Sequence, residues 1–185
     1  MFINDWKKEL FTIPNLLSLF RLVLIPVYMT MYLQGRHLLA GIILALSCLT
    51  DFFDGWVARR FHMTTSLGKL LDPAADKATQ LTLILCLSVR YEAMVPVLIL
   101  FLIKEACQLA ALLFCLRRRV MPVRTLMAGK ICTAILFASL VILVLFPGIP
   151  VRIVRGLAAV DLAALGLSFI CYGLNLIRHG QEFTP

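Results

Sequence analysis

An all-α integral membrane bundle, with six transmembrane helices and a short N-terminal interfacial helix, is the fold this chain predicts. Three observations predict it. Of 185 residues, 61% are hydrophobic and 15% charged, with a mean hydropathy of +0.94, which is too apolar for a soluble domain of this size. The apolar residues fall in six stretches, each near the ~20 residues that cross ~30 Å of hydrocarbon. Lys and Arg gather at the ends of those stretches rather than along one face. A single domain over residues 1–185 is expected, because no Pro/Gly/Ser-rich linker, charge block or low-complexity tract divides the chain.

Residues 1–11 are too polar for a signal sequence. Phe2, Ile3, Trp6, Leu10 and Phe11 fall near helical spacing around Lys7 and Lys8, which predicts a helix lying on the head groups ahead of a bundle over residues 12–178. The first span, Ile13 to Leu33, opens with Pro14, where a helix tolerates proline best. Asn15, Ser18 and Arg21 follow at intervals of three and share one helical face. Arg21 is then either snorkelling to the interface or facing a polar cavity. After a turn at Gln34–His37, the second span runs from Leu38 to Arg59, and Phe61–Ser66 connects it to a third from Leu67 to Val89. Arg90–Glu92 turns into a fourth span, Ala93 to Leu116, which holds Lys104 and Glu105 well inside it. A basic loop containing Arg117–Arg119 and Arg124 leads to a fifth span, Leu126 to Phe146. Pro147-Gly148-Ile149-Pro150 is a turn, and a sixth span, Ile153 to Ile177, carries Asp161. That acid is expected to pair with Arg155 or with another helix.

Six spans put both termini on one side, together with Lys7, Lys8, Arg59, Arg60, Arg117–Arg119, Arg124 and Arg178, against Arg36, Arg90 and Arg152 opposite. The positive-inside rule makes the richer side cytoplasmic, in a bacterial-type cytoplasmic membrane. The net charge of +8 therefore reads as membrane orientation, suited to anionic lipid and phosphate-bearing ligands, and not as a nucleic-acid surface. The six cysteines all lie in apolar stretches without a CxxC pair, so neither a disulfide framework nor a zinc site is indicated.

Against this background, four aspartates crowd into residues 51–76. Each ionised carboxylate in hydrocarbon costs several kcal/mol unless it is neutralised. Asp51, Asp54, Gly55, Ala58 and Arg59 cover one face of the second helix, and Gly68, Asp72 and Asp76, spaced by fours, give the third a matching face. Pro73 implies a kink or a first regular turn near Asp72. Carboxylates without nearby thiolate or imidazole suit Mg²⁺ or Mn²⁺. Two such ions ~4 Å apart would form a site for displacement at phosphorus. Gly55 and Gly68 would allow a ligand close to the backbone, and Arg59 offers a fork for phosphate oxygens. The competing reading is a non-catalytic cation-binding protein or transporter. Clustering of the acids at one end of adjacent helices argues against a path through the bilayer.

The pattern Asp51-x2-Asp54-Gly55-x2-Ala58-Arg59-x8-Gly68-x3-Asp72-x3-Asp76 resembles, at every fixed position and gap, the signature of the CDP-alcohol phosphotransferase family. The Pro14-Asn15-Leu-Leu-Ser opening with Arg21 is similar to bacterial members that make phosphatidylglycerophosphate. The resemblance implies a phospholipid-synthesising transferase that moves a phosphatidyl group from CDP-diacylglycerol to glycerol 3-phosphate and releases CMP. Carried onto matching positions, it implies that Asp51, Asp54, Asp72 and Asp76 surround two divalent cations and that Asp76 is also the general base. By the same resemblance, Asn15, Gly55, Ala58, Arg59 and Gly68 hold the CDP moiety. It further implies a homodimer among membrane lipids.

The acceptor side is read from Gly129, Lys130 and Thr133, which resemble the Gly-Lys-x-x-Thr segment of phosphatidylglycerophosphate synthases. With Arg117, Arg118 and Lys104 they are expected to bind the acceptor, although the arginines serve topology equally well. Two departures bear on this. Those synthases usually carry Arg-Glu where this chain has Lys104-Glu105, and an ammonium does not reproduce a bidentate guanidinium. A further arginine is replaced in the region of Ala110, Ala111 and Leu112. Phosphatidylglycerol, giving cardiolipin, or another alcohol is therefore the alternative acceptor.

Overall fold

In the computed structural model the backbone is described for residues 13–60, 68–118 and 127–181, and side chains for residues 15–50, 72–114 and 129–174 together with Arg117. The expected interfacial helix over residues 1–11 lies outside them. Among the described residues there are six α-helices: α1 Ile13–Leu33, α2 His37–Arg60, α3 Gly68–Arg90, α4 Val95–Arg118, α5 Met127–Leu145 and α6 Val151–Gln181, with a 3-10 turn at Glu92–Met94. No strand occurs among the described residues. Each helix coincides with a predicted stretch to within a few residues.

Two compact units divide within α3, at residues 1–86 and 87–185. In the first, α1 packs against α2. The link between them is fixed by Gly35, whose φ of 76° is the left-handed conformation that glycine adopts without a Cβ clash. The Gly35 N–H donates to Tyr32 O (3.0 Å) and the Arg36 N–H to Met31 O (3.0 Å), satisfying carbonyls left open at the end of α1. Tyr28 and Tyr32 stack at 5.9 Å, and His37 meets the Tyr32 ring edge-on at 5.2 Å. The core below them is small and apolar, with Ala40, Leu44, Ala75, Leu83 and Ile84 buried. Pro73 lies inside α3, one turn after its start at Gly68. Its missing N–H leaves the Lys69 carbonyl without its usual helical donor, and the helix continues past it.

In the second unit, α6 packs against both α4 and α5. The expected turn after Phe146 is closed by the Ile149 N–H on Phe146 O (3.2 Å). Arg90 Nη2 and the Tyr91 hydroxyl both donate to Pro147 O, at 2.8 and 3.2 Å, tying the end of α3 to the α5–α6 turn. Leu136, Leu140 and Leu143 of α5 and Val154 and Leu165 of α6 are buried.

The outer faces invert the pattern of a water-soluble protein. Val23, Leu38, Ile131, Ile170 and Leu174 are exposed, whereas Asn15, Ser18, Arg21, Gln80, Lys104, Ser139 and Asp161 are buried. Among the described residues, three helical stretches, Asn15–Leu33, Glu92–Phe114 and Val151–Leu174, are long and apolar enough to cross a membrane.

Asp161 of α6 does not need Arg155. Ser139 of α5 stands 2.6 Å from both of its carboxyl oxygens and 2.9 Å from Leu136 O, while Arg155 is exposed. A hydroxyl has one proton, so it serves one of these acceptors at a time. With Asp161 at 0% exposure, Ser139→Ala removes a partner that water cannot replace and should destabilise the protein by about 1–3 kcal/mol. Thermal unfolding in detergent measures this. A Ser139→Ala midpoint equal to the parent's would show that the pair carries no stability.

Candidate active site

The polar face predicted for α1 is buried, and it meets α3. Ser18 Oγ donates to Asp72 Oδ1 at 2.5 Å. Arg21 Nη1 donates to Asp76 Oδ1, also at 2.5 Å, forming an ion pair. These are the short distances of charge-assisted hydrogen bonds. Because Ser18 meets Asp72 and Arg21 meets Asp76, the numbering rises together along both helices, and α1 and α3 run in the same direction at the site. That alternation is what a short connection on either side of α2 requires.

Burial separates the partners. Arg21 is 2% exposed, whereas the Asp76 side chain is 51% exposed. The guanidinium therefore does not snorkel. It is buried and reaches an acid whose side chain remains half exposed, so of snorkelling and facing a polar cavity the first is not realised, and the contact found is a carboxylate of α3. Asn15, one turn earlier on the same face, is buried as well. Asp72 and Asp76 are one turn apart on α3 and present hard oxygen donors of the kind that hold Mg²⁺ or Mn²⁺. Each has one oxygen engaged by α1, and a carboxylate offers further lone pairs beyond the one so used.

The remaining signature residues are fixed in backbone only. Asp51, Asp54, Gly55, Ala58 and Arg59 belong to the C-terminal part of α2, and Gly68 opens α3. The continuous α-helix on which the spacing argument relied is thus present at these positions. Their side chains lie outside the described residues.

On the second unit the acceptor candidates are dispersed in character. Lys104 of α4 is buried, with its ammonium 2.8 Å from Glu105 Oε1 and 3.4 Å from Gln108 Oε1. Lys130 is exposed in the first turn of α5, and Arg117 is exposed near the end of α4. Thr133, expected with Lys130, donates instead to the Gly129 carbonyl at 2.8 Å. Arg118 ends α4, and its side chain is outside the described residues.

Ser18 and Arg21 are the site residues that sequence reasoning left unassigned. The signal available was that an arginine deep in an apolar helix needs an anion; which of the four acids it meets was not legible.

A family model described as CDP-alcohol phosphatidyltransferase matches residues 11–170, and the chain belongs to that family. It is similar to the CDP-diacylglycerol--glycerol-3-phosphate 3-phosphatidyltransferase of Aquifex aeolicus (strain VF5), 33% identical over 133 residues, covering 71% of this chain and 73% of that protein. Like-named proteins of Rickettsia bellii (strain RML369-C) and Salmonella typhimurium (strain LT2) are 43% identical over 68 residues and 40% over 70. Those two alignments cover 35% and 36% of this chain and 38% of each relative.

The contact between Lys104 and Glu105 is testable on its own. A double-mutant cycle of Lys104→Met and Glu105→Gln, read by thermal unfolding in detergent, should give a coupling of ~0.5–3 kcal/mol, as contacting residues do. Additive single-variant effects would mean that the ion pair does not contribute.

Proposed function

We propose that this protein is an integral membrane phosphatidyltransferase that transfers the phosphatidyl group of CDP-diacylglycerol to glycerol 3-phosphate, forming phosphatidylglycerophosphate and CMP. The observation that carries the reading is the pair Asp72 and Asp76, one helical turn apart and each held through Oδ1 by a buried side chain of α1, in a chain of this family. The printed names of the relatives supply the substrates. Six spans, with termini and site on the cytoplasmic side, keep the acyl chains in lipid and the nucleotide in water. The exposed apolar faces and buried polar groups support the membrane setting, and the excess of Lys and Arg on one side of the expected spans supports the orientation. A homodimer is the expected assembly.

In this reading Asp51, Asp54, Asp72 and Asp76 hold two divalent cations, Mg²⁺ or Mn²⁺. When bound, these would neutralise the diphosphate and improve CMP as a leaving group. Gly55, Ala58, Arg59, Gly68 and Asn15 hold the CDP moiety, with the Arg59 guanidinium as a bidentate donor to phosphate oxygens. The glycerol hydroxyl attacks the phosphorus that bears the diacylglycerol, its proton passes to Asp76, and the bond from that phosphorus to the CMP oxygen breaks. Lys130, with Arg117, Arg118 and Lys104, binds the phosphate of the acceptor.

The test is CMP release by the purified protein in detergent with CDP-diacylglycerol and Mg²⁺ or Mn²⁺, offered glycerol 3-phosphate, phosphatidylglycerol, inositol phosphate or serine. Selective release with glycerol 3-phosphate is expected. Release only with phosphatidylglycerol would make the product cardiolipin, and none with any acceptor would favour the cation-binding alternative. Asp76→Asn should lower kcat by ~10²–10⁴-fold, the usual worth of a positioned base. Lys130→Ala should raise the KM for glycerol 3-phosphate by ~10-fold or more, as expected for loss of a charged hydrogen bond, with the KM for CDP-diacylglycerol little changed. Unaltered glycerol 3-phosphate kinetics would remove Lys130 from the site.

A further inference from the structure

Ser18 and Arg21 occupy one buried face of α1, three residues apart, and each donates a hydrogen bond to Oδ1 of a different acid of α3. A half-exposed carboxylate such as Asp76 has several rotamers open to it. Tying one oxygen to a donor that is itself immobile removes most of that freedom. Both donors are confined by packing, since Ser18 and Arg21 are buried.

The two donors differ in charge, and this should divide their duties. Ser18 is neutral, so it orients Asp72 while leaving its full negative charge to attract a cation. Arg21 is a fixed cation, so the Asp76 oxygen bound to its guanidinium is a poor seat for a divalent ion, and Asp76 meets a cation or a proton through its other oxygen. We propose that Ser18 and Arg21 are positioning residues with separate duties, Ser18 orienting Asp72 for cation binding and Arg21 orienting Asp76 for the transfer step. The proposal rests on the roles given to Asp72 and Asp76 under the proposed function. It gives a reason for a serine and an arginine at this spacing in an apolar first helix.

The experiment compares parent, Ser18→Ala, Arg21→Met and Arg21→Lys in detergent, with three readouts. Mn²⁺ affinity without lipid is read from the electron paramagnetic resonance signal of unbound Mn²⁺. CMP release at saturating Mn²⁺ gives kcat and the KM for CDP-diacylglycerol, and thermal unfolding reports the fold. Outer-shell partners of ligating groups are usually worth ~10–100-fold in metal affinity or activity. Ser18→Ala is therefore expected to weaken Mn²⁺ binding by ~10-fold or more, with kcat at saturating Mn²⁺ within ~3-fold of parent. Arg21→Met should lower kcat by ~10–100-fold with the KM for CDP-diacylglycerol within ~3-fold. Arg21→Lys should recover part of that loss, because the charge returns without the fork.

Variants that lower only the unfolding midpoint, with parental Mn²⁺ affinity and kinetics, would reduce both residues to structural ones and overturn the proposal. Identical changes in all parameters for Ser18→Ala and Arg21→Met would overturn the division of duties. If Arg21→Met does not fold, Arg21→Lys carries the test: a kcat equal to parent would refute orientation by the guanidinium, and a fall of several-fold at unchanged KM would support it. A parent that binds Mn²⁺ but releases no CMP would sink the proposed function, while the Ser18→Ala affinity would still decide the claim about Asp72.

Discussion

A guanidinium buried inside an apolar helix must find an anion, and Arg21 finds Asp76. Leaving that charge unpaired in a low-dielectric surrounding would cost several kcal/mol. The same requirement sets the register of α1 against α3, because only one alignment brings Arg21 to Asp76 and Ser18 to Asp72 together. Once this register is set, the acid pair of α3 is anchored on one side by α1. The signature residues of α2 follow in a helix that packs on the same α1. The polar face of the first helix is thus the frame on which the site is assembled.

The helices were legible in the sequence because hydrocarbon imposes a length and polar turns interrupt it. Gly35, Pro147 and the Gln34–His37 and Arg90–Glu92 breaks all fall where the structure turns. Pro73 was harder to place. From sequence it allowed either a kink or a later start, and the helix begins at Gly68 and accommodates it. The face shared by Asn15, Ser18 and Arg21 was visible at its spacing of three. Its partners were not, because helical periodicity gives the direction of a side chain and not the identity of the helix it meets. Asp161 shows the same limit: Arg155 on its own helix and a partner on another helix were both open, and a serine on α5 supplies the hydrogen bond. A serine in an apolar run carries no signal that distinguishes a packing residue from a partner for an acid.

The acceptor side depends on different physics. Lys104 replaces an expected arginine, and its ammonium is engaged by Glu105 and Gln108 on its own helix. A compact ammonium can be neutralised locally in this way, whereas a planar guanidinium would have donors left over for a second ligand. Lys130, by contrast, is exposed at the start of α5, where a soluble phosphate can reach it. Of the two lysines, Lys130 is therefore the accessible one and Lys104 the one already engaged on its own helix.

Everything proposed for the signature acids depends on their acting through divalent cations. The most direct measurement is CMP release after the purified protein has been stripped with EDTA and dialysed, followed by titration with Mn²⁺ or Mg²⁺. The account predicts negligible turnover in the stripped protein and full recovery on addition of either ion, with saturation that follows the Mn²⁺ bound. Turnover undiminished after stripping, in protein shown to hold no residual metal, would contradict it.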